Sequence, residues 1–229
     1  MNVGYTVKAP SIKSAYNQLI PLIFTYGSRV DVNGSKTVEL LDTTVIISNP
    51  NINFSRNYIP SLIPKNYPLG KSYIQKYIQD LFYGSKSVFS YDYHNRLFNW
   101  KGKVNQINEI INRLKSDINS RRAVAITWYP DEDNYKDDVP CLQYIQFIIR
   151  DNKLFMKTLF RSNDALLAFP ANCYGLMRIG LYISDKLNVK FDKYSHTSVS
   201  MHVYYERDFD YLKQYFPEIY KLIKGGKYE

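Results

Sequence analysis

The sequence predicts an α/β protein with a single domain spanning residues 1–229. Several segments carry apolar residues at spacings of three and four, as amphipathic helices do, and other segments show alternation or a hairpin pattern. With 229 residues, of which 45% are hydrophobic, the chain can bury a sizeable core. Because no linker-like composition divides the chain, nothing supports a second domain.

The N-terminal third contains two predicted helices on either side of a strand. Ser11 can cap the first helix, which ends near Gly27 and has one apolar face: Ile12, Ala15, Tyr16, Leu19 and Ile23. Residues 37–48 are predicted as one strand or a broken pair. A proline-rich loop follows over 49–69, and the second helix runs from Tyr73 to Gly84.

The middle of the chain begins with an aromatic-rich segment, 88–100, which is either an ordinary surface segment or part of a site. The clearest helix follows, with an apolar stripe of Val104, Ile107, Ile110, Ile111 and Leu114. Arg121 and Arg122 then precede a predicted buried strand, 123–128. The two arginines form either a solvated pair, which the sequence favours, or an anion clamp, since guanidinium groups match phosphate oxygens.

A predicted hairpin places a thiol at its open end. After an acidic loop, 131–138, Cys141 begins a strand that ends at Arg150, and a turn over 151–153 leads to the return strand 154–160. Arg161 therefore lies on the same edge as Cys141. A free cysteine is most often a small buried hydrophobe, but Pro140 before it and a cation beside it favour a nucleophile.

The C-terminal third contains a predicted buried helix, a strand and a short helix. The loop 168–173 precedes the buried helix, whose apolar positions extend from Leu176 to Leu187. Residues 198–205 alternate, so His202 and Tyr204 should point the same way, opposite an apolar face of Val199, Met201, Val203 and Tyr205. The short helix covers 209–223.

Charge and cysteine content limit the classes of function. The net charge of +9 suits a polyanion, but the basic residues are scattered and equally suit a small phosphorylated substrate. Two cysteines make no disulfide framework, and no cysteine or histidine pair has zinc-ligand spacing, so we expect no metal. No apolar run is long enough to span a bilayer. We therefore expect a cytoplasmic protein with no membrane and no nucleic-acid partner.

Four segments together resemble the successive motifs of the thymidylate synthase and pyrimidine hydroxymethylase superfamily, most closely its short archaeal-type members. They are Asn119-Ser120-Arg121-Arg122, Val139-Pro140-Cys141, Arg161-Ser162-Asn163-Asp164 followed by Phe169-Pro170-Ala171-Asn172, and Ser200-Met201-His202-Val203-Tyr204. Their order and spacing match, and four linked motifs are more specific than one. The resemblance implies a mixed, mostly antiparallel sheet with helices on one face, in a homodimer formed through the sheet.

The resemblance also implies roles for individual residues. Cys141 would be the catalytic nucleophile that adds to C6 of dUMP, and Tyr93 would assist proton removal from C5. Asn172 would read the base, favouring uracil over cytosine. Asp164 would contact the pterin carrier, either methylene-tetrahydrofolate or a modified pterin such as methylene-tetrahydromethanopterin. The remaining substrate-binding residues are Arg161, Ser162, His202 and Tyr204, with Arg121 and Arg122 supplied by the second subunit.

One departure from the family concerns a glutamate in the second helix, whose place falls on Gln79 in this sequence. An amide cannot act as that acid or base. The leading interpretation is therefore thymidylate synthase-like transfer to dUMP. The alternatives are a uridylate, deoxyuridylate or deoxycytidylate hydroxymethylase, a catalytically silent nucleotide-binding relative and, more distantly, a nucleic-acid-binding protein.

Overall fold

The computed structural model describes residues 3–50, 63–84 and 92–227, and side chains up to residue 225. Parts of the predicted proline-rich loop and of the aromatic-rich segment, together with the last two residues, lie outside this range. The described strands are β1 (Val3–Ala9), β2 (Ser28–Val32), β3 (Ser35–Ile47), β4 (Val124–Ile126), β5 (Leu142–Arg150), β6 (Lys153–Asp164) and β7 (Lys190–Val203). The described helices are α1 (Ile12–Tyr26), α2 (Gly70–Tyr83), α3 (Tyr93–Phe98), α4 (Gln106–Ser116), α5 (Pro130–Asp133), α6 (Phe169–Leu187), α7 (Phe209–Tyr215) and α8 (Pro217–Leu222).

The strands form one mixed, mostly antiparallel sheet, as expected. Its order is β1-β3-β7-β6-β5-β4, and β2 pairs with the first residues of β3. Only the pairs β1–β3 and β6–β7 are parallel among the described strands. The core lies between the sheet and helices that include α1, α4 and α6. The predicted α/β fold is therefore confirmed.

In three neighbouring strands, the alternation of core-facing and outward-facing side chains shifts by one residue, and the shift falls in the same row of the sheet. In β6 the buried positions are even up to Phe160 and become odd at Asn163. The paired strands β7 and β3 skip a residue in the same row, at Val199 and at Asp42, whose φ of 52° is left-handed. Arg161 occupies this row in β6. We call the row of Asp42, Val199 and Arg161 the crease, because the strands reverse which residues face the core across it.

The predicted hairpin is confirmed as β5 and β6. Asp151 and Asn152 form its turn with φ of 49° and 57°, the left-handed geometry that a two-residue hairpin turn requires. The strand pairing brings Arg161 beside Cys141, since the backbone N–H of Arg161 donates to the Cys141 carbonyl at 2.8 Å. The predicted first helix is also confirmed, with the Ser11 side chain accepting from the N–H of Ser14.

Two glycines of α6 allow close packing, one against the sheet and the other against α2. A Cβ on Gly180 would lie 2.5 Å from the Phe191 ring of β7. A Cβ on Gly175 would instead lie 2.7 Å from the Tyr77 ring of α2. The second contact lets α2 approach α6, so that Tyr77 reaches the side chains near the start of α6.

Several predicted elements were wrong in extent or kind. The stretch 123–128 is a three-residue edge strand with Ile126 43% exposed, because among the described strands only β5 pairs with it. Residues 169–173 form the first turns of α6 and not a loop, with Pro170 in the first turn, where its missing N–H costs nothing. The last helix is broken at Phe216 by the following proline.

Val199 does not belong to the apolar face assigned to it. It is 51% exposed, whereas Met201, Val203 and Tyr205 are buried. The crease explains this difference, because the alternation that holds beyond Ser200 does not continue through it.

Candidate active site

The two cysteines lie in contrasting environments. Cys173 is fully buried in α6, and burial raises the pKa of its thiol well above the usual value. Cys141 is half-buried and lies one residue before β5, at the open end of the hairpin. Since the thiolate is the nucleophilic form and must reach its target, the geometry favours Cys141 over Cys173.

Arg161 holds the segment that leads into Cys141. Its Nε donates to the Pro140 carbonyl at 3.0 Å, and its Nη2 donates to the Val139 carbonyl at 2.9 Å. A guanidinium has five N–H donors, so three remain beyond these two bonds. Arg161 can therefore fix the backbone around the thiol and still bind an anion.

Tyr93 lies on the other side of the thiol segment. Its hydroxyl oxygen accepts the backbone N–H of Leu142 at 3.0 Å, next to Cys141 in sequence. Asp92 caps the short helix α3 that carries Tyr93 by accepting the N–H of His94. The structure thus places the Tyr93 hydroxyl against the backbone of the residue that follows Cys141.

Asn172 lies in the first turn of α6 with its amide bonded on both sides. The hydroxyl of Tyr77 is 2.7 Å from Oδ1 of Asn172, and Nδ2 of Asn172 donates to Oδ1 of Asn163 at 3.1 Å. Asn163 in turn bonds Nε2 of His196 at 2.7 Å. One lone pair and one N–H of the Asn172 amide remain beyond these bonds, which is what a pyrimidine edge requires.

His202 and Tyr204 form a wall of the site near the end of β7. Their rings meet edge to face with centroids 4.9 Å apart, which confirms that they point the same way. Burial lowers the pKa of His202, so the imidazole is neutral. Ser200 donates to Glu39 at 2.6 Å and must therefore accept from Nδ1–H of His202 at 3.3 Å. Nε2 of His202 is left as an acceptor.

The electrostatics of Tyr204 connect it to the thiol segment. Burial raises the pKa of its phenol, and the Asp164 carboxylate raises it further, while Arg207 lowers it. Cys141 and Arg161 also act on the Tyr204 phenol electrostatically, so these groups share one region. The Arg207 guanidinium lies 4.2 Å from the centroid of the Tyr204 ring.

Asp164 is held at the end of β6. Its Oδ1 accepts the N–H groups of Leu166 and Leu167 at 2.9 and 3.0 Å, and its Oδ2 accepts from Arg207 at 2.5 Å. These bonds fix the turn into α6. Oδ2 keeps acceptor capacity for the amino group of a pterin, so the site fits the predicted carrier contact.

Arg121 and Arg122 are not brought to the thiol of their own chain. Both are exposed, and the Arg121 carbonyl accepts from the Gln146 side chain at 2.8 Å. Gln146 lies five residues beyond Cys141 on β5, roughly 17 Å away at about 3.3 Å per residue. An arginine side chain does not span that distance within one chain.

Sequence reasoning missed several residues of the site and misplaced one. Gln79, where the family glutamate was expected, is exposed, and it is Tyr77 that reaches Asn172. Glu39, His196 and Arg207 were also missed, and Asn163 stands in a motif but was assigned no role. Each bonds a residue of the site on another strand or helix, and no local pattern could have indicated that contact.

Within the described residues, no group of three or more histidine, cysteine or acidic side chains is arranged to hold a metal ion. Across the same part of the chain, none of the helices combines the length and the apolar character that crossing a membrane requires.

Comparison with known proteins agrees with the motifs. The family model for thymidylate synthase matches residues 70–219. A protein of Methanocaldococcus jannaschii is 46% identical over 226 residues, which cover 95% of this chain and 98% of that protein. Relatives from Methanosarcina barkeri and Methanothermobacter thermautotrophicus are 35% and 31% identical, covering 92% and 88% of this chain and 94% of each relative. All three carry the name "Putative thymidylate synthase".

Proposed function

The chain belongs to the thymidylate synthase family, and we propose that it transfers a one-carbon unit to C5 of dUMP through a Cys141–C6 adduct, producing dTMP. The observation that carries the proposal is the position of Cys141, half-buried at the hairpin end and flanked by Arg161 and Tyr93. Addition of a thiolate to C6 moves electrons toward O4 and makes C5 nucleophilic, which divides a difficult substitution into easier steps.

The nucleotide would bind by its three polar parts. The free N–H groups of Arg161, with the neighbouring Ser162 hydroxyl, would hold the 5′-phosphate. The acceptor Nε2 of His202 and the phenol of Tyr204 would hold the sugar hydroxyl, one as acceptor and the other as donor. Asn172 would donate to O4 and accept from N3–H of uracil. Cytosine presents the opposite pattern, and so dUMP is preferred over dCMP.

Asp164 would contact the carrier, methylene-tetrahydrofolate or methylene-tetrahydromethanopterin, which would supply the one-carbon unit as an electrophile. Formation of the methyl group of dTMP also takes a hydride, which the reduced pterin or a separate reductant would supply. Tyr93 would assist removal of the proton from C5 once the new bond has formed. Its hydroxyl oxygen accepts the N–H of Leu142, which fixes the hydroxyl relative to the nucleophile.

We further propose a homodimer in which Arg121 and Arg122 complete the phosphate site of the other subunit. Support comes from the face of the sheet opposite the core, which carries half-buried apolar side chains and the exposed Val199. The half-buried residues are Tyr144, Ile148, Phe155 and Leu159. Mixing a Cys141→Ala variant with an Arg121→Ala/Arg122→Ala variant should restore activity through hybrid dimers, since one of their two sites is intact.

Release of tritium from [5-³H]dUMP tests the reaction itself. We expect exchange by the unmodified protein, none by Cys141→Ala, and little from [5-³H]dCMP. Full exchange by Cys141→Ala would exclude the adduct. The mass of the product made with each carrier then identifies the transferred group, and a hydroxymethyl product would contradict synthesis of dTMP.

A further inference from the structure

A series of buried hydrogen bonds connects the sheet with the Asn172 amide. The donor of each bond can be assigned in turn, starting from Thr158 in the sheet. The Thr158 hydroxyl donates to the Ser195 carbonyl at 3.4 Å. A carbonyl only accepts and a hydroxyl has one proton, so Thr158 must accept from the Tyr194 hydroxyl, 3.1 Å away. The Tyr194 oxygen, with its proton committed, accepts from Nδ1–H of His196 at 2.9 Å.

The donor and acceptor nitrogens of His196 then determine which atoms of Asn163 and Asn172 donate. Burial lowers the pKa of His196 to about 3, so the ring is neutral, and a proton on Nδ1 leaves Nε2 as an acceptor. Nε2 therefore accepts from Nδ2 of Asn163 and also from the Ser198 hydroxyl, 3.3 Å away. Oδ1 of Asn163 faces Nδ2 of Asn172. Oδ1 of Asn172 is left to accept from Tyr77.

The orientation of this amide decides which base it fits. An asparagine turned by 180° exchanges its donor and acceptor, and would then match cytosine as well as it had matched uracil. Tyr77 cannot prevent the turn alone, because a hydroxyl can donate or accept. Asn163 can also turn. The first group in the series with a fixed role is the Ser195 carbonyl.

We propose that Thr158 and Tyr194 are positioning residues that set the pyrimidine preference of the site by fixing the orientation of the Asn172 amide through His196 and Asn163. The proposal rests on the proposed function, in which Asn172 reads the base. Neither residue needs to touch the nucleotide. Both are fully buried, and three other side chains lie between Thr158 and Asn172.

The sharpest variant is Thr158→Val, which removes the acceptor of the Tyr194 proton while keeping the side-chain shape. Tyr194 is then able to donate to Nδ1 of His196, which moves the histidine proton to Nε2 and turns both amides. Thr158→Ser keeps the hydroxyl and should restore the direction. Thr43→Val is the matched control, because Thr43 is also fully buried in the sheet and its hydroxyl has no hydrogen-bond partner among the described residues.

Calorimetric binding of dUMP and of dCMP measures the preference without requiring turnover. We expect the ratio of the two affinities to fall roughly tenfold or more in Thr158→Val and in Tyr194→Phe, about the effect of one misdirected hydrogen bond. Thr158→Ser and Thr43→Val should keep the ratio of the unmodified protein. A purely structural role for Thr158 would lower the melting temperature and leave the ratio unchanged, which would overturn the proposal.

Nitrogen-15 NMR of labelled histidine provides a readout independent of nucleotide binding. The chain has three histidines, so His196 can be assigned with one variant. We expect protonated Nδ1 and unprotonated Nε2 in the free protein, and the reverse in Thr158→Val. Protonation of Nε2 in the unmodified protein would refute the proposal. Equal binding of dUMP and dCMP by a protein with protonated Nδ1 would instead refute base reading by Asn172, and with it this role.

Discussion

The hydroxyl of Tyr77 lies 2.7 Å from Oδ1 of Asn172, which joins the second helix to the residue proposed to read the base. Tyr77→Phe removes one donor without changing the ring. We expect kcat/KM for dUMP to fall roughly tenfold, the usual effect of losing one hydrogen bond at a reacting group. Tritium release measures it, with Tyr73→Phe on the same helix as control. Equal losses in the two variants would argue against a specific role for Tyr77.

Gly175 should be required for the position of Tyr77. Its Cβ in Gly175→Ala would lie 2.7 Å from the Tyr77 ring, so the ring must shift and carry its hydroxyl with it. Gly180→Ala is a matched control, since its Cβ would crowd the Phe191 ring at 2.5 Å. Overpacking lowers the free energy of unfolding by about 1–3 kcal/mol, so both variants should have a lower melting temperature. Only Gly175→Ala should also weaken dUMP binding in calorimetry; an equal loss in Gly180→Ala would show a general effect.

Arg161→Lys should reduce activity although it keeps the charge. A lysine cannot bridge the Val139 and Pro140 carbonyls as the guanidinium does, so the thiol segment loses its support. We expect kcat/KM to fall about 100-fold, as misplacement of a reacting group produces. Arg150→Lys at the other end of the hairpin, where the guanidinium also binds a backbone carbonyl, should be nearly silent. Unchanged kinetics in Arg161→Lys would contradict the positioning role.

The ion pair between Arg96 and Asp133 should dominate the stability of the region that carries Tyr93. Both side chains are buried, with two N–H···O contacts of 2.8 Å. Asp133→Ala leaves a buried cation unpaired, and the free energy of unfolding should fall by about 3–5 kcal/mol. Urea unfolding measures this loss. Replacing both partners, as in Arg96→Met/Asp133→Leu, should recover part of it, and a double variant no more stable than Asp133→Ala would contradict the explanation.

Acid should destabilise the fold through His196. Burial lowers the pKa of His196 to about 3, whereas an exposed histidine in the unfolded chain titrates near 6.5. Between these values the unfolded state binds the proton and the folded state does not, so stability falls as the pH decreases. The contribution is at most about 1.4 kcal/mol per pH unit. Urea unfolding between pH 6.5 and 4.5 should show a smaller pH dependence in His196→Gln, and equal slopes would exclude this role.

The elements that sequence predicted well have local causes. The hairpin follows from alternation and a turn that accepts left-handed residues, and α1 follows from its cap and apolar stripe. The aromatic-rich segment shows the limit of such patterns. Its second half is the helix α3, in which Arg96 is buried because Asp133, 37 residues away, neutralises it. Nothing near Arg96 in the sequence indicates that partner.

The candidate site likewise contains residues that the sequence indicates and residues that only the fold brings into place. Cys141, Arg161 and Tyr204 stand in motifs short enough to identify, and the structure brings them together. Tyr77 and His196 stand in no motif. Their places depend on how α2 packs against α6 and how β7 pairs with β6, and both depend on the whole fold. β1 and β2 were missed because exposed and charged residues interrupt their apolar patterns.

The crease has a consequence for how the family can diverge. The alternation of core-facing and outward-facing side chains shifts in one row of β3, β7 and β6. The deletion of a single residue at Asp42, Val199 or Arg161 would therefore exchange the core-facing and outward-facing side chains in one half of that strand. Neighbouring strands would keep their orientation, and the pairing would fail. Insertions or deletions at these three positions should therefore occur together or not at all among homologues. Substitutions on the two sides of the row can accumulate separately, so selection can alter the half of the sheet that carries the candidate site while the other half keeps its packing.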